Sequence, residues 1–168
     1  MPFNTLTYVF AVVLAFVSVV SAQTTTKVTV QMYERFCLLL PRHQGSSIAR
    51  NLHNSVSYCT SLTSAVRHAR ELPPFFYQKI FFYDDPNQRY SQVTGRFNRT
   101  SFGLSANDNG GQADPAHPHG AQCVGFKYFV QFVEPNEGIY CLRCCHHKSD
   151  CPTNKPTKGC RAVIGGNY

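Results

Sequence analysis

From Lys27 the chain alternates apolar and polar positions. Val28, Val30 and Met32 fall on one side, Thr29 and Gln31 on the other, and Phe36-Cys37-Leu38-Leu39-Leu40 runs on unbroken to a stop at Pro41. Period two followed by a short apolar run is strand chemistry, half-buried and then fully buried. A polar stretch with Gly45, Ser46 and Ser47 follows. Between Ser61 and Glu71, Leu62, Ala65, Val66 and Ala69 share one helical face and Pro73-Pro74 ends the run, which predicts a short helix. The aromatic segment Phe75 to Tyr83, the turn chemistry of Asp84-Asp85-Pro86-Asn87 and the segment Arg89 to Phe97 together predict a β-hairpin.

Gly103 to Gly120 is rich in Gly, Asn, Asp and Pro, and predicts mostly loop. Beyond it Phe126, Tyr128, Val130 and Phe132 alternate with Lys127 and Gln131, and Pro135-Asn136-Glu137-Gly138 turns the chain into Ile139-Tyr140-Cys141-Leu142-Arg143 as a second hairpin. Residues 151 to 160 read as a loop closed by cysteines. Several strands with turn-rich connections and little helix predict a mainly β fold. The expected form is a single disulfide-stabilised antiparallel sheet or a compact β-sandwich, with long loops and at most one short helix.

The first 22 residues stand apart. An apolar run from Tyr8 to Val20 ends in Val20-Ser21-Ala22, a small-residue pattern of the kind signal peptidase cuts after, and polar residues follow at once. The alternative, an anchor helix, is disfavoured because a bilayer span needs about 20 apolar residues. Residues 1–22 are read as a signal peptide and residues 23–168 as a single cysteine-rich secreted domain, extracellular or wall-associated, with no membrane segment after cleavage.

Composition sharpens this picture. All eight cysteines, Cys37, Cys59, Cys123, Cys141, Cys144, Cys145, Cys151 and Cys160, lie in the mature part, and an even number in an exported chain favours a paired framework. Sequence leaves the pairing open, but the neighbours Cys144 and Cys145 would bond to each other only with strain, so each is expected to reach elsewhere. The formal net charge is +7, carried entirely outside the signal peptide, which favours attraction to anionic surfaces. The basic residues are scattered rather than massed, and no dedicated nucleic-acid stripe is expected.

Four constellations could carry chemistry. Cys141-Leu142-Arg143-Cys144-Cys145-His146-His147 has a C-x2-C spacing beside two histidines, a zinc pattern in a reducing compartment. In an exported chain, disulfides and exposed histidines are the better reading. Asp108 and Asp114 flank a glycine-bent loop with the oxygen ligands calcium takes, although the spacing is not that of an EF-hand and a turn held by Asx hydrogen bonds is favoured. His117 and His119 could hold a metal or shuttle protons with Asp108 or Asp114. No G-x-S-x-G elbow and no H-E-x-x-H motif occurs, so no catalytic residue is assigned and no cofactor is expected. Asn98-Arg99-Thr100 is a glycosylation sequon at a predicted strand end, and Asn98 is the expected acceptor.

Taken in order, Phe36-Cys37-Leu38-Leu39-Leu40-Pro41, Gln92-Val93-Thr94-Gly95, Gly110-Gly111-Gln112-Ala113-Asp114, Val133-Glu134-Pro135, Cys141-Leu142-Arg143-Cys144-Cys145 and Gly159-Cys160 resemble a family of fungal secreted cysteine-rich proteins of the macrophage-activating glycoprotein type. Two positions depart from that pattern: His146-His147, where relatives carry acidic residues, and Ala113, where an aromatic is expected. The resemblance implies an extracellular or wall-associated glycoprotein, without transferable catalytic residues, acting in encounters between fungus and host. The implied partner is a host extracellular protein or a cell-wall polysaccharide. A glycan-binding wall protein and a small hydrolase built on His117 or His119 are the alternatives. The Asn98 to Gly120 region is the expected functional surface.

Overall fold

The computed structural model describes residues 25–31 and 35–168. The segment expected to be a signal peptide, Gln23 and Met32 lie outside them. Among the described residues ten strands form two five-stranded sheets, which is the mainly β, sandwich-like architecture that the strand patterning predicts. In the first sheet, β1 (Lys27–Gln31) and β2 (Arg35–Leu40) pair antiparallel and β3 (Val56–Cys59) joins β2 antiparallel. The short β4 (Arg70–Glu71) and β8 (Gln122–Cys123) close its two edges in parallel, giving the order β4-β3-β2-β1-β8. The second sheet is wholly antiparallel: β5 (Tyr77–Asp84), β6 (Tyr90–Phe97), β10 (Ile139–Cys145), β9 (Tyr128–Glu134) and β7 (Gly111–Ala113).

The main core lies between the sheets. Val28, Phe36, Leu38, Leu40 and Tyr58 from the first meet Val93, Phe97, Phe129, Val133, Tyr140 and Leu142 from the second. Strand alternation sends the other side chains of β9 and β10 outward, where Val130, Phe132, Ile139, Cys141 and Cys145 form a second cluster covered by the C-terminal segment with Cys160, Val163 and Ile164. A third cluster, Cys37, Cys59 and Val66, sits on the outer face of the first sheet. Burying Gln131 inside the main core is tolerated because its side-chain amide is fully used: Leu39 N–H donates to Oε1 and Nε2 donates to the Leu39 carbonyl, both at 2.8 Å.

Four disulfides hold these layers, and no described cysteine is free. Cys37–Cys59 crosses β2 and β3, Cys123–Cys144 joins the two sheets, Cys141–Cys160 pins the C-terminal segment to β10, and Cys145–Cys151 closes a short loop. The adjacent Cys144 and Cys145 therefore reach different partners, since β-alternation points one into the core and the other out. The residues between Cys151 and Cys160 run from one of these bridges to another rather than being closed by a bond between the two.

Two segments differ from the sequence pattern. Ser61 to Glu71 forms turns and then β4, not a helix. Only Val66 of its apolar stripe is fully buried, docking on the Cys37–Cys59 bridge, while Leu62 is 59% exposed. Thr63 Oγ1 accepts from Ala65 N–H, His68 has φ +60°, and β3 takes up the end of the segment as an edge strand. Among the described residues the one α-helix, α1, is instead Gly159–Val163. The second difference is β7, inside the predicted loop. Gly110, at φ +76°, lets the chain run against β9, where a Cβ would stand 1.8 Å from the Val133 carbonyl oxygen.

Candidate functional site

The loop carboxylates are built into the scaffold. Asp108 Oδ2 accepts from Ile48 N–H (2.7 Å) and Oδ1 from Gly110 N–H (2.9 Å), which ties the loop to the connection between β2 and β3. Asp114 is buried. Its Oδ1 accepts from Ala116 N–H (2.8 Å) and His117 N–H (3.1 Å), and its Oδ2 accepts from Gln112 Nε2 (2.8 Å). These are Asx-turn contacts, the arrangement that Asp in a bent loop most readily makes. His117 Nδ1 lies 3.3 Å from Asp114 Oδ1, with the imidazole exposed. His119 is exposed beyond it. The structure thus brings Asp114 and His117 together and leaves Asp108 tied to another part of the chain. No group of three or more potential ligand side chains that could hold a metal ion occurs among the described residues.

His146 and His147 are exposed, and the His146 ring packs on Phe126 with centroids 4.6 Å apart. Asn98 follows β6 and caps a 3-10 turn. Its Oδ1 accepts from Thr100 N–H (3.1 Å) and from the Thr100 hydroxyl (2.7 Å), and the residue borders an open surface hollow. Much of the stretch from Asn98 to Gly120 packs inward, with Phe102, Leu104 and Ala113 in the core.

The larger open concavities lie elsewhere. Three adjoining clefts of about 520, 440 and 380 Å³ surround the beginning of β1 on the first sheet. Lys27, Arg42, Arg67, His68, Arg70 and Lys127 line them, and no carboxylate does. The Val66 anchor fixes the backbone just before Arg67 and His68. Arg70 Nη1 donates to Tyr58 Oη (3.0 Å) and to the Arg42 carbonyl, so its guanidinium is held against the wall. Among the described residues none of the five Lys and Arg side chains forms an ion pair; the pairs are Arg89 with Asp85 and Asp150, His117 with Asp114, and Arg161 with Glu137. On the outer face of the second sheet a smaller groove of about 280 Å³ runs between Phe81, Tyr83 and Tyr90 and the C-terminal residues Gly165 and Asn167.

Sequence reasoning missed the basic cleft because its residues come from five separate stretches. The pairing of β1 with β2 and β8, and of β3 with β4, gathers them. The only signal in the sequence is the charge excess itself. Comparison with protein-family models, curated proteins and solved structures finds no match. Four disulfides in so short a chain mark a secreted, cysteine-rich protein of an oxidising, extracellular compartment.

Proposed function

We propose that the protein is a secreted, non-catalytic glycoprotein that works by binding, as a fungal effector or surface protein in encounters between fungus and host. The observation that supports this best is the use made of the loop acids. Asp108 and Asp114 are committed to backbone N–H groups, so the carboxylates nearest His117 and His119 act as turn braces, while the surface offers clefts and grooves. Asn98 is half-buried at the start of a 3-10 turn and borders an open surface hollow, a position that agrees with glycosylation there.

Affinity capture with the oxidised mature protein tests the reading. Retention on host extracellular protein or on fungal wall material is expected, and absence of retention on both overturns it. The non-catalytic part is tested with the His117→Ala, His119→Ala double variant, assayed beside the parent on RNA, ester and glycoside substrates. Turnover in the parent that disappears in the variant would reverse that part.

A second reading, a glycan-binding wall protein, draws on the groove at Phe81, Tyr83 and Tyr90. Tyr83 is 45% exposed and its ring centroid lies 5.9 Å from that of Tyr90, which offers apolar faces to a sugar ring. Pull-down on chitin and on glucan, with Tyr83→Ala as the comparison, separates it from protein binding.

A further inference from the structure

We propose that the three adjoining clefts around the start of β1 are one binding site for an acidic polysaccharide, a polymer bearing carboxylate or sulfate groups. This deepens the binding reading above and rests on it. A surface with scattered cations is ordinary, but five Lys and Arg side chains that line connected concavities without a carboxylate among them make a local positive field of one sign. Low-dielectric walls focus such a field, and bound anions would replace the missing counter-charges.

The cleft is also braced. Its floor borders the Cys37–Cys59 bridge through Val66 and Val124, and Cys123, bonded to Cys144 of the second sheet, lines the third cavity. His68, a non-glycine residue at φ +60°, is held in the left-handed region at the cleft wall. Such backbone is disfavoured outside glycine and is kept in place by its surroundings. A fixed, cation-lined channel binds a polymer with less ordering cost than a loop does.

The remaining lining points to a sugar polymer. Thr25, Thr26 and Ser64 supply hydroxyls beside the cations, while the buried Ser57 hydroxyl donates to the Lys27 carbonyl. No aromatic ring lines the two larger cavities and the third has one, Phe126, so the run of stacking faces that single-stranded nucleic acid uses is missing. No residue of these two cavities is among the large exposed apolar side chains, Leu62, Phe75, Tyr77 and Tyr83, that could enter a lipid surface.

The test uses the oxidised mature protein with four probes: polygalacturonate for carboxylate, heparin for sulfate, phosphatidylserine vesicles and single-stranded DNA. Neutral chitin oligomers serve as the uncharged control. The parent is expected to bind one or both polysaccharides more tightly than vesicles, DNA or chitin oligomers, with affinity falling as salt rises. In the variant Lys27→Gln, Arg67→Gln, Lys127→Gln the side chains removed make no hydrogen bond that holds the fold, so folding is expected to persist, and affinity should drop roughly fivefold or more. The charge-matched Lys155→Gln, Lys158→Gln, Arg161→Gln variant, altered on the far C-terminal segment, should lose less than about twofold. Equal losses in the two variants overturn the site, and tighter binding to vesicles or DNA overturns the ligand class. Failure of every polyanion, with retention on host or wall material intact, overturns the inference and leaves the binding reading standing; failure of both removes the two together.

Discussion

The amide of Gln131 does for β2 what a neighbouring strand would do. Leu39 lies beyond the register in which β1 pairs with β2, so on that side its N–H and C=O lack a strand, and the Gln131 side chain crosses between the sheets to meet both. Gln131→Leu keeps the volume but strands two buried backbone groups, and at about 1–3 kcal/mol for each unsatisfied group a loss of about 2–6 kcal/mol is expected. Urea unfolding measures it; a loss under about 1 kcal/mol would show that the amide bridge adds little. Asp85 illustrates the electrostatic side. The Arg89 guanidinium, bonded at 2.8 and 3.0 Å, together with the N–H groups of Arg89 and Asn87, holds its carboxyl down to about 2. A depressed folded-state value means that the contribution is complete above the unfolded value near ~3.9 and is lost as pH falls towards about 2. Thermal unfolding of Asp85→Asn should therefore show a flatter decline across that acid window than the parent. Glu134 has the opposite sign: burial pushes its carboxyl up even though Cys160 N–H donates to it at 2.7 Å, so ionising it weakens the fold as pH rises. Glu134→Gln, which keeps an acceptor for Cys160, should be at least as stable as the parent at pH 7.

At the scale of elements, the long strands and the two tight hairpin turns between them were legible in the sequence, and the longer connections were not. Alternation in residues 126–132 and the aromatic run from Phe75 both became strands of the second sheet, since a side-chain period of two is a local property of the chain. Residues 61–71 had an equally regular helical stripe. An isolated helix of that length is marginal in water, and the disulfide-backed face that received Val66 alone was invisible until Cys37 had found Cys59. The same limit hid the basic cleft, which exists only through pairing among distant strands, whereas the structural use of Asp108 and Asp114 followed from loop chemistry already readable around Gly110. The connection into β5 carries a local test. Phe76 N–H bonds the Pro73 carbonyl at 3.2 Å, closing a turn in which Phe75 has φ +61° at the position glycine normally takes, with the ring 87% exposed. A left-handed conformation costs a non-glycine residue roughly 1–2 kcal/mol, partly offset by the extra freedom glycine has when unfolded. Phe75→Gly should stabilise the protein by about 1 kcal/mol, a rise of roughly 2–4 °C in Tm for a chain of this size; a fall would mean that the exposed ring holds the turn.

For the molecule as a whole, the disulfides differ in what they hold together, and the difference is measurable. Cys123–Cys144 spans 21 residues and is the bridge between the sheets, while Cys145–Cys151 spans 6 and fastens only a loop to β10. Loop-closure entropy assigns about 3 kcal/mol to the first and about 2 kcal/mol to the second. Removing each pair as Cys→Ala should therefore shift the urea midpoint in that order. The inter-sheet core from Val28 to Leu142 and the Gln131 bridge stay in place in both variants, so unfolding should remain one transition. The consequences for binding should diverge as well. Cys123 lines the basic cleft beside Lys27 and Lys127, so releasing β8 from β10 should weaken polyanion binding at temperatures where the variant is still folded. Cys145 and Cys151 line none of the three clefts, and losing their bridge should leave that binding within about twofold of the parent. Equal effects of the two variants on polyanion affinity, measured by calorimetry well below both midpoints, would separate the cleft from the framework that is argued to brace it.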